Sequence, residues 1–254
     1  MPLHQQQRLT KKQKRQQRQQ GDDVTDNSAP NNRQPFTMKD DIRPMTDNQR
    51  IAFEHWDDGY NMMLHGIAGT GKTFLGLYFA LKEVTKQNSP YKKVYIVRST
   101  VSTRDQGFLP GSLKEKAKVF ESPYVPICTK LYGRGDAYEI LKGKGFVEFI
   151  TTSYLRGETF DDCILLVDEV QNMGDGELHT VMTRVGENCR IIFCGDVKQD
   201  DLTSERKKEL SGLRDFMKIL HRMKEFEFVD FQVEDIVRSA LVKSYIIQRN
   251  NLGL

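Results

Sequence analysis

Gly66-Ile67-Ala68-Gly69-Thr70-Gly71-Lys72-Thr73 fits the pattern G-x-x-x-x-G-K-[ST] at every fixed position. The apolar stretch Met62-Met63-Leu64 leads into it, and an apolar-rich segment from Thr73 to about Thr85 follows. The eight residues therefore sit where a strand hands over to a helix. Glycines at 66, 69 and 71 remove side chains, so the backbone N–H groups running from Gly66 through Ile67, Ala68, Gly69 and Thr70 to Gly71 can curl around a chain of phosphates. The positive end of the following helix adds to that cradle. Lys72 is then placed to reach the terminal phosphates as a point charge, and the Thr73 hydroxyl to ligate a magnesium ion bridging them. A glycine-rich connecting turn would not by itself explain why Lys-Thr follows the last glycine.

A second stretch makes sense only together with the first. Cys163-Ile164-Leu165-Leu166-Val167-Asp168-Glu169 is a continuous apolar run, as in central parallel strands, closed by two acids. Such an ending is costly unless something needs the charges. If this strand lies beside the one feeding the phosphate loop, Asp168 falls near the magnesium and Glu169 is placed to orient and deprotonate an attacking water. Arg190-Ile191-Ile192-Phe193-Cys194-Gly195-Asp196 repeats the strand design and brings Gln199 toward the same edge. Gln199 either senses a terminal phosphate or caps a turn.

Outward from these strands the reading is coarser. Thr46 or Asp47 caps a short helix carrying Ile51, Ala52, Phe53 and Trp56. Gln49, seventeen residues before the loop, is suited to read an adenine edge through its amide, or is a solvent-exposed glutamine. Lys93 to Arg98 reads as a strand, and strand ends such as Arg98 line the ligand crevice of doubly wound folds. Beyond it come Arg104 and Gly107-Phe108-Leu109-Pro110-Gly111. Arg98, Arg104 and Phe108 suit stacking and phosphate contacts with a single-stranded nucleic acid, and a plain Pro-Gly turn is the alternative. Residues 117–145 read as a peripheral insertion, and Val233 to about Asn250 as a last helix burying Ile236, Val237, Ala240, Leu241 and Tyr245.

Composition limits the choices. The 254 residues hold one ordinary domain with appendages. The net charge of +3 conceals six Lys/Arg and no acid in residues 1–20, so the remainder is near −3 and is not a uniformly basic surface. Residues 1–44, basic and Gln-rich at the start, are expected to be a disordered tail that either binds RNA weakly or only solubilises, with the domain occupying 45–254. Cys128, Cys163, Cys189 and Cys194 lack metal-ligand spacing and read as reduced thiols. No apolar run suits a membrane span or a signal peptide, so a cytoplasmic location is expected, with no membrane partner.

Five or so strands alternating with helices, a phosphate loop after the first and acids after a later one argue for a RecA-like P-loop NTPase core. Such a core is α/β, a mostly parallel sheet flanked by helices. The sequence further resembles the PhoH-like ATPases, whose core is similar to the first motor domain of superfamily 1 helicases. The resemblance runs from about Thr46 to Tyr245. It rests on the Gln49 region, Gly66 to Thr73, Arg98 with Gly107 to Gly111, Tyr154-Leu155-Arg156-Gly157, Asp168-Glu169-Val170-Gln171-Asn172, Gly195-Asp196-Val197-Lys198-Gln199, Gly212-Leu213 and Asp235-Ile236-Val237-Arg238. Ser99 and Val170 depart from the family's usual Pro and Ala.

The resemblance implies that Lys72, Thr73, Asp168 and Glu169 bind and hydrolyse ATP with Mg2+, and that Gln171 and Gln199 belong to γ-phosphate-sensing motifs. It also implies that Arg238 is an arginine finger. Because Arg238 lies far along the chain from the loop, it is expected to complete a neighbour's site in a ring, a hexamer by family resemblance. The expected activity is a magnesium-dependent ATPase coupled to single-stranded RNA or DNA. A nucleotide-switched binding module with a protein partner is the alternative.

Overall fold

The computed structural model describes residues 36–39, 42–99, 118–155, 157–196 and 207–252, for 207–211 the backbone only. Its strands are β1 Asn61–Gly66, β2 Lys93–Arg98, β3 Val147–Thr151, β4 Cys163–Asp168, β5 Cys189–Gly195 and β6 Phe226–Phe231. They form one sheet in the order β3-β2-β4-β5-β1-β6, and every pairing is parallel. β4 is buried along its whole length, as its unbroken apolar run requires of a strand covered on both faces. The α/β class expected from the sequence is the one observed.

One premise needs correction. β4 does not lie beside β1, because β5 runs between them. The helix leaving the phosphate loop, spanning Lys72–Val84, closes that gap. Gly76 gives it its height over the sheet: a side chain there would begin 2.7 Å from Leu166 Cδ1 and 3.2 Å from Cys194 Sγ. The helix thus rides directly on β4 and β5, bringing Thr73 to the end of β4.

In chain order the helices are α1 Asp47–Asp57, α2 Lys72–Val84, α3 Tyr124–Tyr132, α4 Ala137–Gly143, α5 Asp175–Thr183, α6 Lys207–Leu220 and α7 Ala240–Asn251. Thr46 caps α1, its side chain accepting from Gln49 N at 3.3 Å. Trp56 of α1 stacks on Phe79 of α2 at 5.7 Å between ring centroids. On the opposite face, Leu178, Val181, Leu213 and Phe216 of α5 and α6 pack with Met63, Val97, Val167 and Phe193 of the strands. The body reaches back to at least Lys39, whose N–H donates to Leu131 O at 2.9 Å.

The C-terminal segment differs from its expected form. Val233–Asp235 is a 3-10 turn, Ile236 is extended, and α7 begins only at Ala240. Ile236 is buried, but α7 buries no residue, and Leu241 and Tyr245 are exposed. The break at Ile236 takes the two halves of the apolar pattern out of helical phase. Among the described residues no helix is long and apolar enough to cross a membrane. The four cysteines are free thiols.

Candidate active site

Parallel pairing gathers every strand's C-terminal end at one edge of the sheet. Gly66 registers with Phe231, Asp168 with Cys194, and Arg98 with Thr151. The phosphate loop leaves β1 against the end of β6, where Ile67 N donates to Phe231 O at 3.0 Å. Gly66, at φ +111°, has no alternative here, because a side chain would begin 2.2 Å from Phe231 O. Thr70 is fully buried, and its hydroxyl donates to Ile67 O at 3.0 Å. Lys72 Nζ donates to Gly66 O at 2.7 Å and Ile67 O at 2.8 Å, so the ammonium is held against the loop. Burial lowers the Lys72 pKa, and the charges at Asp196, Cys194, Glu169 and Asp168 work against that shift. An anion brought to the loop would relieve the cost of burying this cation.

At the end of β4, Thr73 Oγ1 donates to Asp168 Oδ1 at 2.9 Å, and the Tyr124 hydroxyl donates to Asp168 Oδ2, also at 2.9 Å. Asp168 is only 4% exposed. Burial, and then the charge of Glu169, raise its pKa, while hydrogen bonds from Thr73 and Tyr124 and the Arg98 charge oppose the rise. A hydroxyl and a carboxylate converging in this way form the hard-oxygen donor set suited to Mg2+. Among the described residues no group of three or more His, Cys, Asp or Glu could hold a metal alone.

Glu169 follows with φ +56°, a left-handed conformation uncommon for a residue with a side chain. A 3-10 turn over Val170–Asn172 fixes it, Asn172 N donating to Glu169 O at 2.9 Å. Gln171 Nε2 donates to Glu169 Oε2, and Gln171 Oε1 accepts from Asp196 N at 3.1 Å. Arg98 approaches the other oxygen of Glu169 at 3.9 Å, and its guanidinium lies 5.8 Å from the Phe120 ring centre. Arg98, considered for a nucleic-acid contact, thus lies at the same edge as the acids. Ser99, the departure from the family pattern, donates to Glu177 Oε1 at 3.0 Å; Thr152 donates to the same oxygen, and Gly174 N to Oε2. Glu177 thereby ties the ends of β2 and β3 to the start of α5.

Gln49 lies at the loop, but its amide is engaged with protein. Nε2 donates to Thr70 O at 3.0 Å, and Oε1 accepts from Met45 N at 2.8 Å. At 4% exposure it is not a solvent-facing glutamine, and in this arrangement it braces the loop. Arg238 lies near the loop although it is far from it in sequence. Val237 N donates to Gly69 O at 3.1 Å, and Arg238 Cγ lies 3.1 Å from where a side chain on Gly69 would begin. Its distance along the chain is removed by folding, which places its side chain beside the phosphate loop of its own chain. Gln199, Arg104 and Phe108 lie outside the described residues.

Three site residues went unassigned in the sequence. Asp196 directly follows β5 beside Gln171, Glu177 forms the tie just described, and Tyr124 comes from the segment read as peripheral. For Asp196 the signal was present, since it directly follows an apolar strand where Asp168 closes one. For Tyr124 nothing local points to Asp168.

The parallel sheet, the loop after β1 and the acids after β4 define the nucleotide-binding P-loop NTPase class. The sequence model of the PhoH-like proteins matches residues 41–248, and the chain belongs to that family. It is 34% identical over 182 residues to the PhoH-like protein of Bacillus subtilis (strain 168), covering 71% of this chain and 55% of that one. With the protein PhoH of Escherichia coli (strain K12) it shares 31% identity over 178 residues, covering 69% and 49%. The chain spans about half the length of the curated relatives it matches. Among solved structures it is similar to the Pif1 helicase from Candida albicans, with a TM-score of 0.42 at 14% identity, covering 84% of this chain and 44% of that one.

Proposed function

We propose that this protein is a magnesium-dependent ATPase whose turnover is coupled to single-stranded nucleic acid, RNA rather than DNA. The observation that carries the reading is the convergence of Thr73 Oγ1 and Asp168 Oδ1 beside a glycine loop that holds Lys72. Thr73 and Asp168 would hold the Mg2+, which neutralises phosphate charge when bound. The loop N–H groups and Lys72 bind and orient the phosphates. Glu169, held by Gln171 on one oxygen and Arg98 on the other, accepts the proton of the attacking water. Arg238, whose Cγ and Nε lie 3.1 and 3.5 Å from where a side chain on Gly69 would begin, is the arginine-finger candidate at the phosphate loop, for the nucleotide of its own chain or of a neighbour in a ring. Gln199, outside the described residues, is assigned to γ-phosphate sensing by family resemblance alone.

Arg98 supports the coupling. It contacts Glu169 and stands directly before the segment carrying Arg104 and Phe108, so a strand engaged by that segment acts on the general base through Arg98. Ring assembly, which family resemblance implies, is a separate part of the reading, tested by measuring particle mass with ATP present. The decisive experiment is steady-state ATP hydrolysis with and without poly-RNA or single-stranded DNA. Stimulation of several-fold is expected, larger with RNA, and Lys72→Ala should lower the rate on the order of 10²-fold or more. Hydrolysis that neither strand stimulates favours a nucleotide-switched module with a protein partner. Hydrolysis undiminished in Lys72→Ala overturns the assignment.

A further inference from the structure

Of the segment between β2 and β3, residues 118–146 form a small helical unit, and one of its residues reaches the active site. Tyr124 is the first residue of α3, directly after Pro123, whose φ of −63° suits a helix start. It is fully buried, with its ring 6.0 Å from that of Phe149 on β3. Cys128, Leu131, Tyr138 and Leu141 are likewise fully buried along α3 and α4, so the unit has a fixed base. From that base the Tyr124 hydroxyl donates to Asp168 Oδ2.

We propose that Tyr124 is a positioning residue for Mg2+: by holding Asp168 Oδ2 it fixes the carboxylate plane and leaves Oδ1 facing Thr73. The proposal rests on the magnesium-nucleotide reading above. A carboxylate attached through one rotatable bond presents either oxygen, or both, to a cation. With Thr73 on Oδ1 and Tyr124 on Oδ2, both at 2.9 Å, a single orientation is set before nucleotide arrives. Outer partners that orient a metal's carboxylate ligand commonly contribute about 10- to 100-fold to metal affinity.

The same helical unit supplies a matched control. Tyr138 is 1% exposed, and its hydroxyl donates to Glu121 Oε1 at 2.8 Å, on an acid that also receives Lys142 at 2.6 Å. Tyr124→Phe and Tyr138→Phe each delete one buried hydroxyl from this unit, and only the first touches Asp168. The test titrates Mg2+ against the fluorescence of a mant-labelled ATP bound to the full chain, with Tm recorded for each variant. Tyr124→Phe should raise the Mg2+ concentration at half-saturation about tenfold or more, with unchanged mant-ATP affinity in EDTA. Tyr138→Phe should leave the Mg2+ midpoint at the wild-type value. Equal midpoints in wild type and Tyr124→Phe, or equal shifts in both variants, overturn the proposal while leaving the nucleotide site intact. Wild-type binding that ignores Mg2+ sinks the proposal and the reading beneath it, and loss of mant-ATP binding in Lys72→Ala distinguishes that case from a missing nucleotide site.

Discussion

α2 and α7 are of similar length and both adjoin the phosphate loop, yet they are held there by different forces. α2 grows out of the loop at Lys72 and buries eight residues against the sheet and α1, from Leu75 to Val84. α7 buries none, with Leu241 81% and Tyr245 62% exposed, and its Ile246 approaches the loop at Gly69. The position of α2 is set by apolar surface removed from water. That of α7 is set by the segment before it, through Val237 N on Gly69 O and a polar clasp at Asp235. One side of the loop is therefore core, and the other is a hydrogen-bonded attachment.

The sharpest way to break that contrast is to remove core from α2. Leu77 is fully buried over the sheet, and Leu77→Ala should cost about 2–5 kcal/mol, the usual range for a large-to-small core change. For a domain of this size each ~1 kcal/mol lowers Tm by roughly 2–4 °C, so thermal unfolding reads the loss directly. A loss under ~1 kcal/mol would mean that α2 is not held by its buried face.

The attachment on the other side should be weaker and should depend on pH. Asp235 Oδ2 accepts from Asn48 Nδ2 at 2.7 Å and from Gln232 N at 2.8 Å, joining the exit of β6 to the start of α1. Burial pushes the Asp235 pKa up, but hydrogen bonds from Thr46, Asn48 and the backbone of Gln232 more than offset this and hold it below the ordinary carboxylate value. A carboxyl whose pKa is depressed on folding stabilises the protein above its unfolded pKa, and the gain disappears as pH falls through the folded value. Asp235→Asn should therefore cost about 1.5–3 kcal/mol at pH 7, the range for a hydrogen bond to a charged group. The gap in Tm should narrow as pH is taken below about 4, near the ordinary carboxylate pKa. A gap of constant size across that range would mean that the clasp does not depend on the charge.

These two sides also differ in how far they could be read from the residues alone. The loop is eight consecutive residues, and the strand ending in Asp168-Glu169 carries its signal in one apolar run, so the fold class and the loop itself were legible. Position across the sheet was not: β5 lies between β4 and β1, and Thr73 still meets Asp168 because α2 spans the gap over Gly76. Gln49 was picked out for its spacing from the loop, while its partners, Thr70 O and Met45 N, are backbone groups with no sequence signature. Tyr124, Asp235 and Arg238 act across 44, 187 and 169 positions on Asp168, Asn48 and Gly69 respectively, and no local pattern encodes such meetings. Apolar content misled at Val233 to Asn250, where a break at Ile236 separates residues that a continuous helix would have aligned.

The smallest expected effect tests the exposed face of α7. Leu241 and Tyr245 lie four residues apart on that helix, so they share one side of it, and both point to solvent. The double change Leu241→Ser and Tyr245→Ser should alter stability by no more than about 0.5 kcal/mol, a shift in Tm of roughly 1–2 °C. Mant-ATP affinity should stay at the wild-type value, because both side chains are exposed and the α7 residue that approaches Gly69 is Ile246. Against Leu77→Ala the ratio of effects should be at least about fourfold, the lower end of the core cost over the upper end of the surface one. A double variant that lost as much as Leu77→Ala would show that this face is packed in solution, and α7 would then be held as α2 is, by buried apolar surface.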